Sequence, residues 1–277
     1  LVSGVAPVNS IALGASTVAE DSADGLKLAD ISITDADFPA GSETASFTIR
    51  LGVSSGTLEA LAGGGVTVSG SGGGSIVLAG TLSALNAYLA DVATQPIFRP
   101  AANFNGTATL NVLTTDNVGL TDSDNVTITV TPANDPPDVD LNGTVVGANS
   151  SAFFLEGGGA VRIAPEAMIM DIDSDNVASL TATLVTRPDG EDESLALNPS
   201  AQAAAGGLTV TYDATTGTLS VTGTASASTY ETILRGVVYN NVKNPPTIVS
   251  RTVEVVVSDG TLESVVRAAT VVLSDTN

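Results

Sequence analysis

The chain has 277 residues, of which 43% are hydrophobic and 4% aromatic, and its 9 basic and 30 acidic residues give a formal net charge of −21. This length suits one large or two ordinary domains, and the apolar content is sufficient for packed cores. The scarcity of Lys and Arg excludes nucleic acid as a partner and disfavours an anionic membrane surface, because both require basic side chains. Such a charge favours cations as partners, although solubility alone also accounts for it.

Cys and His are both absent, which removes further classes of site. We expect no disulfide framework, no zinc, copper or iron–sulfur site built on these residues, and no Ser-His or Cys-His nucleophile. No apolar run reaches the roughly 18 residues of a membrane span, so membrane insertion is not expected. The opening residues, LVSGVAPVNS, lack the features of a signal peptide, and we interpret the chain as a piece of a longer protein.

The first half of the chain predicts a series of short strands and one helix. Glu20 is followed fifteen residues later by Asp35, and two residues further by Asp37. GGGVTVSG (63–70) and GSIVLAGT (74–81) predict two strands that meet at a glycine-rich hairpin tip. The later elements are a predicted helix, LSALNAYLAD (82–91), and two predicted strands, TATLNVLTTDN (107–117) and NVTITVTP (125–132).

PANDPPDVDLNG (132–143) interrupts this pattern near the midpoint of the chain. Its paired prolines oppose regular strand pairing, and oxygen-bearing side chains crowd around them. We therefore predict a linker over residues 134–140.

The second half repeats the first. Glu156, Asp171 and Asp173 reproduce the Glu-x14-Asp-x-Asp spacing, and Asp259 aligns with Asp116. The other matching segments, in order, are AGGLTVTY (205–212), GTLSVTGT (217–224), a helix STYETILRGV (228–237) with Ser228 and Glu231 at capping-box spacing, TVEVVVSDG (252–260) and AATVVLSD (268–275). The repetition predicts two modules, over residues 1–133 and 141–277.

Each module predicts many short strands, turn signals at regular intervals and few helical residues. This pattern is typical of an all-β fold, and we expect each module to be a β-sandwich with Greek-key connections. Parallel α/β folds need alternating long helices, which the sequence lacks.

The acidic residues at repeated positions favour calcium, which takes six to eight oxygen ligands in tolerant geometry. Acidic loops that simply remain solvated are the alternative. Paired carboxylates could also hydrolyse glycosides, but an active site is rarely duplicated in this way, and the chain has no Trp and only 4 Tyr for sugar stacking. We therefore do not expect an enzyme. The charge run GEDES (190–194), present in the second half alone, is predicted to be a solvated loop.

These motifs resemble a known family. Glu-x14-Asp-x-Asp, the later Asp116, and the Asn-Asp-Pro of the linker resemble the calcium-binding scheme of cadherins. FRPAANFNGTATLNVLTTDN and DLNGTVVGANSSAFFLEGGG are similar to cadherin-like repeats of large secreted bacterial surface proteins, the RTX-type adhesins. No counterpart of the internal acidic motif of animal cadherins is present, which leaves the number of ions at each joint open.

The resemblance implies two tandem immunoglobulin-like or cadherin-like β-sandwich domains, with calcium sites at the ends of the modules. The linker site would combine residues of both modules and the linker, namely Glu20, Asn134, Asp135, Asp138, Asp140, Asp171, Asp173 and Asp259. The first module would carry a matching site made of Asp35, Asp37 and Asp116. Glu156, Asp275 and Asn277 would form half of a lower joint.

The function implied is that of a calcium-stiffened spacer or adhesive stalk of a secreted bacterial cell-surface protein. Its partners would be calcium ions and neighbouring repeats of the same polypeptide, with cell-surface glycans or proteins as further candidates. The alternative is a carbohydrate- or protein-binding module in which calcium is only structural. The Phe153/Phe154 pair hints at an exposed apolar patch, although Phe154 is expected in the core.

Overall fold

The computed structural model describes residues 4–13, 16–38 and 45–276. It divides into two compact units, Leu1–Ala133 and Asn134–Asn277. Strands dominate both units, which confirms the all-β prediction. In the ranges described, no helix has the length and apolar character needed to cross a membrane.

The described residues of the first unit form three sheets and one helix. The elements are β1 (Val8–Ile11), β2 (Thr17–Ala19), β3 (Leu26–Lys27), β4 (Ile31–Thr34), β5 (Ser46–Val53), β6 (Thr57–Glu59), β7 (Thr67–Ser69), β8 (Ser75–Thr81), α1 (Leu82–Ala90), β9 (Ile97–Arg99), β10 (Gly106–Thr115) and β11 (Thr121–Thr131). The six-stranded sheet has the order β2-β11-β10-β5-β8-β7, and smaller sheets have the orders β3-β9-β6 and β1-β4.

Strict alternation in the sequence creates the core of the first unit. In β5, Phe47, Ile49 and Leu51 are buried while the residues between them face outward. They share one apolar cluster with Leu58 and Phe98 from the opposing three-stranded sheet. Because side chains alternate between the faces of a strand, each sheet contributes one face to this core. The unit is therefore a β-sandwich.

The second unit repeats this architecture. Its strands are β12 (Asp138–Asp140), β13 (Ser150–Leu155), β14 (Val161–Arg162), β15 (Met168–Met170), β16 (Asn176–Leu184), β17 (Glu193–Leu197), β18 (Thr209–Asp213), β19 (Thr218–Ser226), β20 (Val237–Asn241), β21 (Arg251–Ser258) and β22 (Arg267–Ser274). Its helices are α2 (Pro199–Ala204) and α3 (Ala227–Arg235). The sheet orders are β13-β22-β21-β16-β19-β18, β14-β20-β17 and β12-β15.

Both six-stranded sheets begin with a short edge strand that runs parallel to the last strand of its unit. Thr17–Ala19 pair with Thr129–Thr131 in the first unit, and Ser150–Leu155 pair with Ala269–Ser274 in the second. The remaining pairs in these sheets are antiparallel, and the adjacency of β10 with β5 and of β21 with β16 marks the crossover expected of Greek-key connections. The segment predicted as a linker contributes β12 to the second unit.

The helices correct two details of the sequence-based prediction. The second predicted helix begins at Ala227, with Ser226 as its N-cap accepting the N–H of Thr229 at 3.2 Å, so the proposed Ser228 capping box is wrong. Glu231 instead forms an ion pair with Arg235 at 2.8 Å. Helix α2 was not predicted, although Asn198 and Pro199 supply the N-cap and the first-turn proline that often start a helix.

A buried ionic network in the second unit contradicts the solvated-loop prediction for residues 190–194 at Glu193, whereas Glu191 and Asp192 are exposed as predicted. Glu193 is 1% exposed, and its side chain contacts Arg251 at 2.8 Å. Arg251 is fully buried and also contacts Asp189 at 2.7 Å, while Lys243 contacts the other oxygen of Asp189 at 2.7 Å. The hydroxyl of Tyr239 donates to Glu193 at 2.9 Å. These contacts neutralise charges that burial would otherwise penalise strongly.

This network predicts a pH dependence for the second unit. Burial raises the pKa of Asp189, but hydrogen bonds from Lys243, Thr247 and Asn241 lower it more, and its pKa lies well below the usual value of 3.8. A depressed pKa in the folded state means that the unfolded chain binds the proton first as the pH falls. The free energy of unfolding should therefore fall as the pH drops below about 4, and urea unfolding between pH 5 and 2 measures this. Asp189→Asn should flatten the dependence, and an unchanged slope in that variant would contradict the assignment.

Candidate metal sites at the unit ends

In the first unit, three predicted ligands lie at the ends of β4 and β10. Asp35 is 6% exposed and its Oδ1 accepts the N–H of Asp37 at 2.8 Å, while its Oδ2 is buried and has no hydrogen-bond partner. Asp116 is also buried, and its Oδ1 accepts the N–H groups of Val118 and Leu120 at 2.9 and 2.8 Å. Asp37 is exposed and accepts the N–H of Val5 at 2.6 Å. The three carboxylates thus hold the loops at this end in place.

In the second unit, Asp171 occupies the position of Asp35 in the repeat. Its Oδ1 accepts the N–H groups of Asp173 and Ser174, both at 3.0 Å, and its Oδ2 is buried without a hydrogen-bond partner. The same local turn therefore recurs in both units and presents the same carboxylate oxygen without a protein donor.

Asp259 corresponds to Asp116 and performs the same role in its loop. Its Oδ1 accepts the N–H groups of Thr261 and Leu262, and its Oδ2 accepts the side-chain amide of Asn134 at 2.7 Å. Burial raises the pKa of Asp259, but the hydrogen bonds from Asn134, Leu262 and Thr261 outweigh it and hold this pKa below its usual value. The carboxylate is therefore held in its charged form.

The residues after Ala133 are held by the same end of the second unit. The backbone N–H of Asp135 donates to Oδ2 of Asp173 at 2.5 Å, and Asn134 reaches Asp259 as described. Of the predicted linker ligands, Asn134 and Asp135 are thus brought together with Asp173 and Asp259.

Two other predicted ligands are engaged elsewhere. Asp138, in β12, forms an ion pair with Arg267 at 3.0 Å, and Oδ1 of Asp140 accepts the N–H of Asn142 at 2.9 Å. Asn142 was not among the predicted ligands, yet its Oδ1 is buried without a hydrogen-bond partner. The signal in the sequence that could have identified Asn142 is its place in the Asn-Gly pair of DLNG (140–143).

The glutamates Glu20 and Glu156 occupy equivalent positions in their own units. Glu20 is 2% exposed, and its Oε1 accepts the N–H of Ala133 at 3.0 Å. Glu156 is 8% exposed, its Oε2 lies 3.5 Å from the N–H nitrogen of Thr276, and its Oε1 is buried without a partner. Asp275 is exposed, and Asn277 lies outside the described residues.

A closed ligand cage is not assembled in the described ranges, where no group of three or more Asp or Glu side chains is arranged to hold a metal ion. The buried carboxylate oxygens that accept no hydrogen bond are the feature of these positions that fits a cation. A buried carboxylate oxygen that lacks any partner costs free energy, because it loses its hydration without replacement. Calcium accepts such oxygens as ligands, so the donor chemistry of these positions fits this ion.

Comparison with solved structures finds similar architectures at low identity. Extracellular cadherin domains 1–5 of protocadherin gamma B2 match with 12% identity and a TM-score of 0.39 over 98% of this chain and 40% of theirs. Human CDH23 EC21–23 matches with 13% identity and a TM-score of 0.34 over 94% of this chain and 66% of its own. The C-terminal domain of the Streptococcus pyogenes antigen I/II-family protein AspA matches with 11% identity and a TM-score of 0.30, over 97% and 99%.

The chain spans less than half the length of the protocadherin structure. No family model and no curated protein sequence matches the chain. All three TM-scores are below 0.5, so these matches assign neither a family nor a function to the chain.

Proposed function

We propose that the chain is a calcium-binding tandem repeat of an extracellular, adhesion-related surface protein, and that calcium stiffens it as a spacer or stalk. One observation carries the calcium assignment: Oδ2 of Asp35 and Oδ2 of Asp171 are buried without hydrogen-bond partners at equivalent positions of two units. In a solvated acidic loop, these oxygens would be exposed and would accept hydrogen bonds from water. Their burial in both copies instead favours a bound cation.

Calcium would supply the missing positive charge at these oxygens. In the second unit, Asp171 would hold it together with carboxylates of the same end, Asp173 and Asp259, and with oxygens of Asn134 and Asp135. In the first unit, Asp35, Asp37 and Asp116 would hold it, without oxygen-bearing side chains at the positions of Asn134 and Asp135, because Gly4 and Val5 stand there. The second site is therefore expected to bind more tightly than the first.

A calorimetric titration of the full chain with calcium tests this assignment. We expect saturable binding, with the tighter phase weakened about tenfold or more by Asp171→Asn and the weaker phase removed by Asp35→Asn, because each substitution removes one negative ligand. Glu254→Gln is the matched control, since Glu254 is exposed on β21. Heats equal to those of dilution, or variants that bind like the parent chain, would refute the proposal.

Stiffening would act on the consecutive residues where the two units join. Within the first unit Glu20 holds Ala133, and within the second Asp259 and Asp173 hold Asn134 and Asp135. A cation at Asp171 would strengthen the second set of contacts. The wider linker site that adds Glu20 stays a prediction from the sequence.

Small-angle X-ray scattering in calcium and in EDTA measures the stiffening. We expect the range of interdomain distances to narrow in millimolar calcium, because calcium would restrict the backbone at residues 134 and 135. Asp173→Asn should reduce the difference, and Glu254→Gln should preserve it. Superimposable scattering curves in calcium and in EDTA would contradict the stalk role. They would not contradict calcium binding, which the calorimetric titration tests separately.

A binding module with purely structural calcium is the second candidate function. Phe153 favours it, because this side chain is 77% exposed on the edge strand β13 while the adjacent Phe154 is 2% exposed in the core, as expected. Leu155 on the same strand is half exposed. A glycan array probed with the parent chain and with Phe153→Ser separates the candidates, since a pure spacer gives no signal in either form.

A further inference from the structure

The nine basic side chains all lie in described parts of the chain. They differ in whether they donate a hydrogen bond to another group of the protein. Eight of them donate to a backbone carbonyl, a hydroxyl or a carboxylate of the protein. Arg162, which follows Val161 in β14, has no such contact among the described residues, and its side chain is exposed. In a chain of net charge −21, one guanidinium is thus left without a protein acceptor among the described residues.

Arg162 lines a depression of about 210 Å³ on the second unit, together with Asn198, Ser200, Thr232, Arg235 and Gly236. No acidic residue belongs to this described lining, and every side chain in it is polar or absent. Two guanidinium groups at one depression, with hydroxyl and amide groups beside them, form a local surface rich in hydrogen-bond donors. A depression that presents hydrogen-bond donors and no carboxylate in its described lining favours an anionic ligand.

The second guanidinium is held in position by the protein. Nε of Arg235 donates to the carbonyl of Ala167 at 2.7 Å, and its Nη2 contacts Glu231 at 2.8 Å. Glu231 compensates part of the charge of Arg235, so Arg162 is the main attractive charge of the depression. A single anionic group, rather than a polyanion, matches that charge.

The neighbouring polar groups retain hydrogen-bonding capacity. Oδ1 of Asn198 accepts the N–H of Ala201 at 2.9 Å, which leaves the amide nitrogen of Asn198 as a donor. The hydroxyl of Thr232 donates to the carbonyl of Ser228 at 3.0 Å, which leaves its oxygen as an acceptor. A ligand with both hydroxyl groups and an anionic group would match these donors and acceptors.

Close packing of α2 against the end of α3 creates the depression. A Cβ at Gly236 would lie 2.3 Å from Cβ of Ala201 and 2.7 Å from Oδ1 of Asn198, so the two elements meet only because residue 236 is glycine. In the first unit, Lys27 is the second residue of β3 and pairs with β9 as Arg162 pairs with β20, but its ammonium donates to the carbonyl of Val92 at 2.8 Å. The first unit has no described helix at the position of α2. The depression is a feature of the second unit.

We infer that this depression binds one carboxylated sugar residue of an acidic glycan, with Arg162 contacting the carboxylate and Asn198, Ser200 and Thr232 contacting ring hydroxyls. Its volume is below the roughly 300–1,000 Å³ of pockets for drug-sized ligands, and it suits a single sugar ring. The polar walls match the hydroxyl groups of a sugar ring, and the described lining offers no apolar side chain to a peptide. The inference does not depend on calcium, because none of the lining residues is a proposed calcium ligand.

Titration of the isotopically labelled full chain with methyl glucuronide, followed by amide NMR shifts, tests the inference. We expect saturable shifts confined to residues around the depression, equal in calcium and in EDTA, and weakened about tenfold or more by Arg162→Gln. Arg50→Gln, which removes an exposed guanidinium of the first unit, is the control and should change nothing. Thr232→Val should also weaken binding, because it removes the acceptor for a ring hydroxyl.

Methyl glucoside and acetate separate the two parts of the ligand. Both should bind several-fold more weakly than the glucuronide, since each lacks half of the contacts. Acetate or a glutamate peptide binding as tightly as the glucuronide would overturn the sugar assignment, and equal binding of the parent chain and Arg162→Gln would overturn the site. Neither result bears on the calcium titration.

Discussion

Arg251→Met should lower the free energy of unfolding of the second unit by about 3–5 kcal/mol, the cost of breaking a buried ion pair from one side. The substitution preserves an unbranched apolar stem but leaves Asp189 and Glu193 facing each other without their shared cation. Both carboxylates have side chains that are 0% exposed, so water cannot compensate for the loss.

Hydrogen exchange of the full chain, read separately for the two units, measures this effect. Amides of β17, β20 and β21 should lose protection in Arg251→Met, and those of β5 and β10 should not. Arg187→Met is the control, because Arg187 is partly exposed and donates only to the carbonyl of Ala214, so we expect a change below about 1 kcal/mol. Full protection of the second unit in Arg251→Met would show that the network contributes little to its stability.

Calcium should stabilise the folded chain by about 2.7 kcal/mol when its free concentration is a hundred times its dissociation constant. The stabilisation arises because the ligand oxygens are gathered only in the folded state. Asp171→Asn should remove most of the gain in the second unit and Asp35→Asn that in the first, while Glu254→Gln should leave it intact.

Urea unfolding in calcium and in EDTA gives this difference directly. In EDTA, Asp171→Asn should be as stable as the parent chain or more stable, because it removes a negative charge whose Oδ2 has no protein donor. A variant that is destabilised equally in calcium and in EDTA would assign Asp171 a purely structural role through its bonds to Asp173 and Ser174.

The repeated β architecture was predictable because it rests on local patterns. Alternation with a period of two buries Phe47, Ile49 and Leu51 in one unit and Val253, Val255 and Val257 in the other, and this alternation is visible in any short window of sequence. The buried network was not predictable in this way. Glu193 and Arg251 are 58 residues apart, and only the pairing of distant strands brings them together.

The candidate metal sites likewise combine local features, which the sequence predicted, with contacts between distant residues, which it did not. The Asp-x-Asp spacing forms a local turn in which the first carboxylate accepts the N–H of the second residue, and this recurs in both units. The ion pair of Asp138 with Arg267 depends on a strand 129 residues away, so the sequence alone assigned Asp138 to the metal site. Local acidic motifs therefore located the candidate sites, and a distant arginine pairs with Asp138, one of the predicted ligands.

A crystal structure of the chain grown in millimolar calcium tests the calcium assignment at the two unit ends. We expect an ion in contact with Oδ2 of Asp171 at roughly 2.3–2.6 Å, and a second in contact with Oδ2 of Asp35. Oxygens of Asp173 and Asp259 should complete the first of these sites. Density showing only water or protein donors beside both Oδ2 atoms, under these conditions, would contradict it.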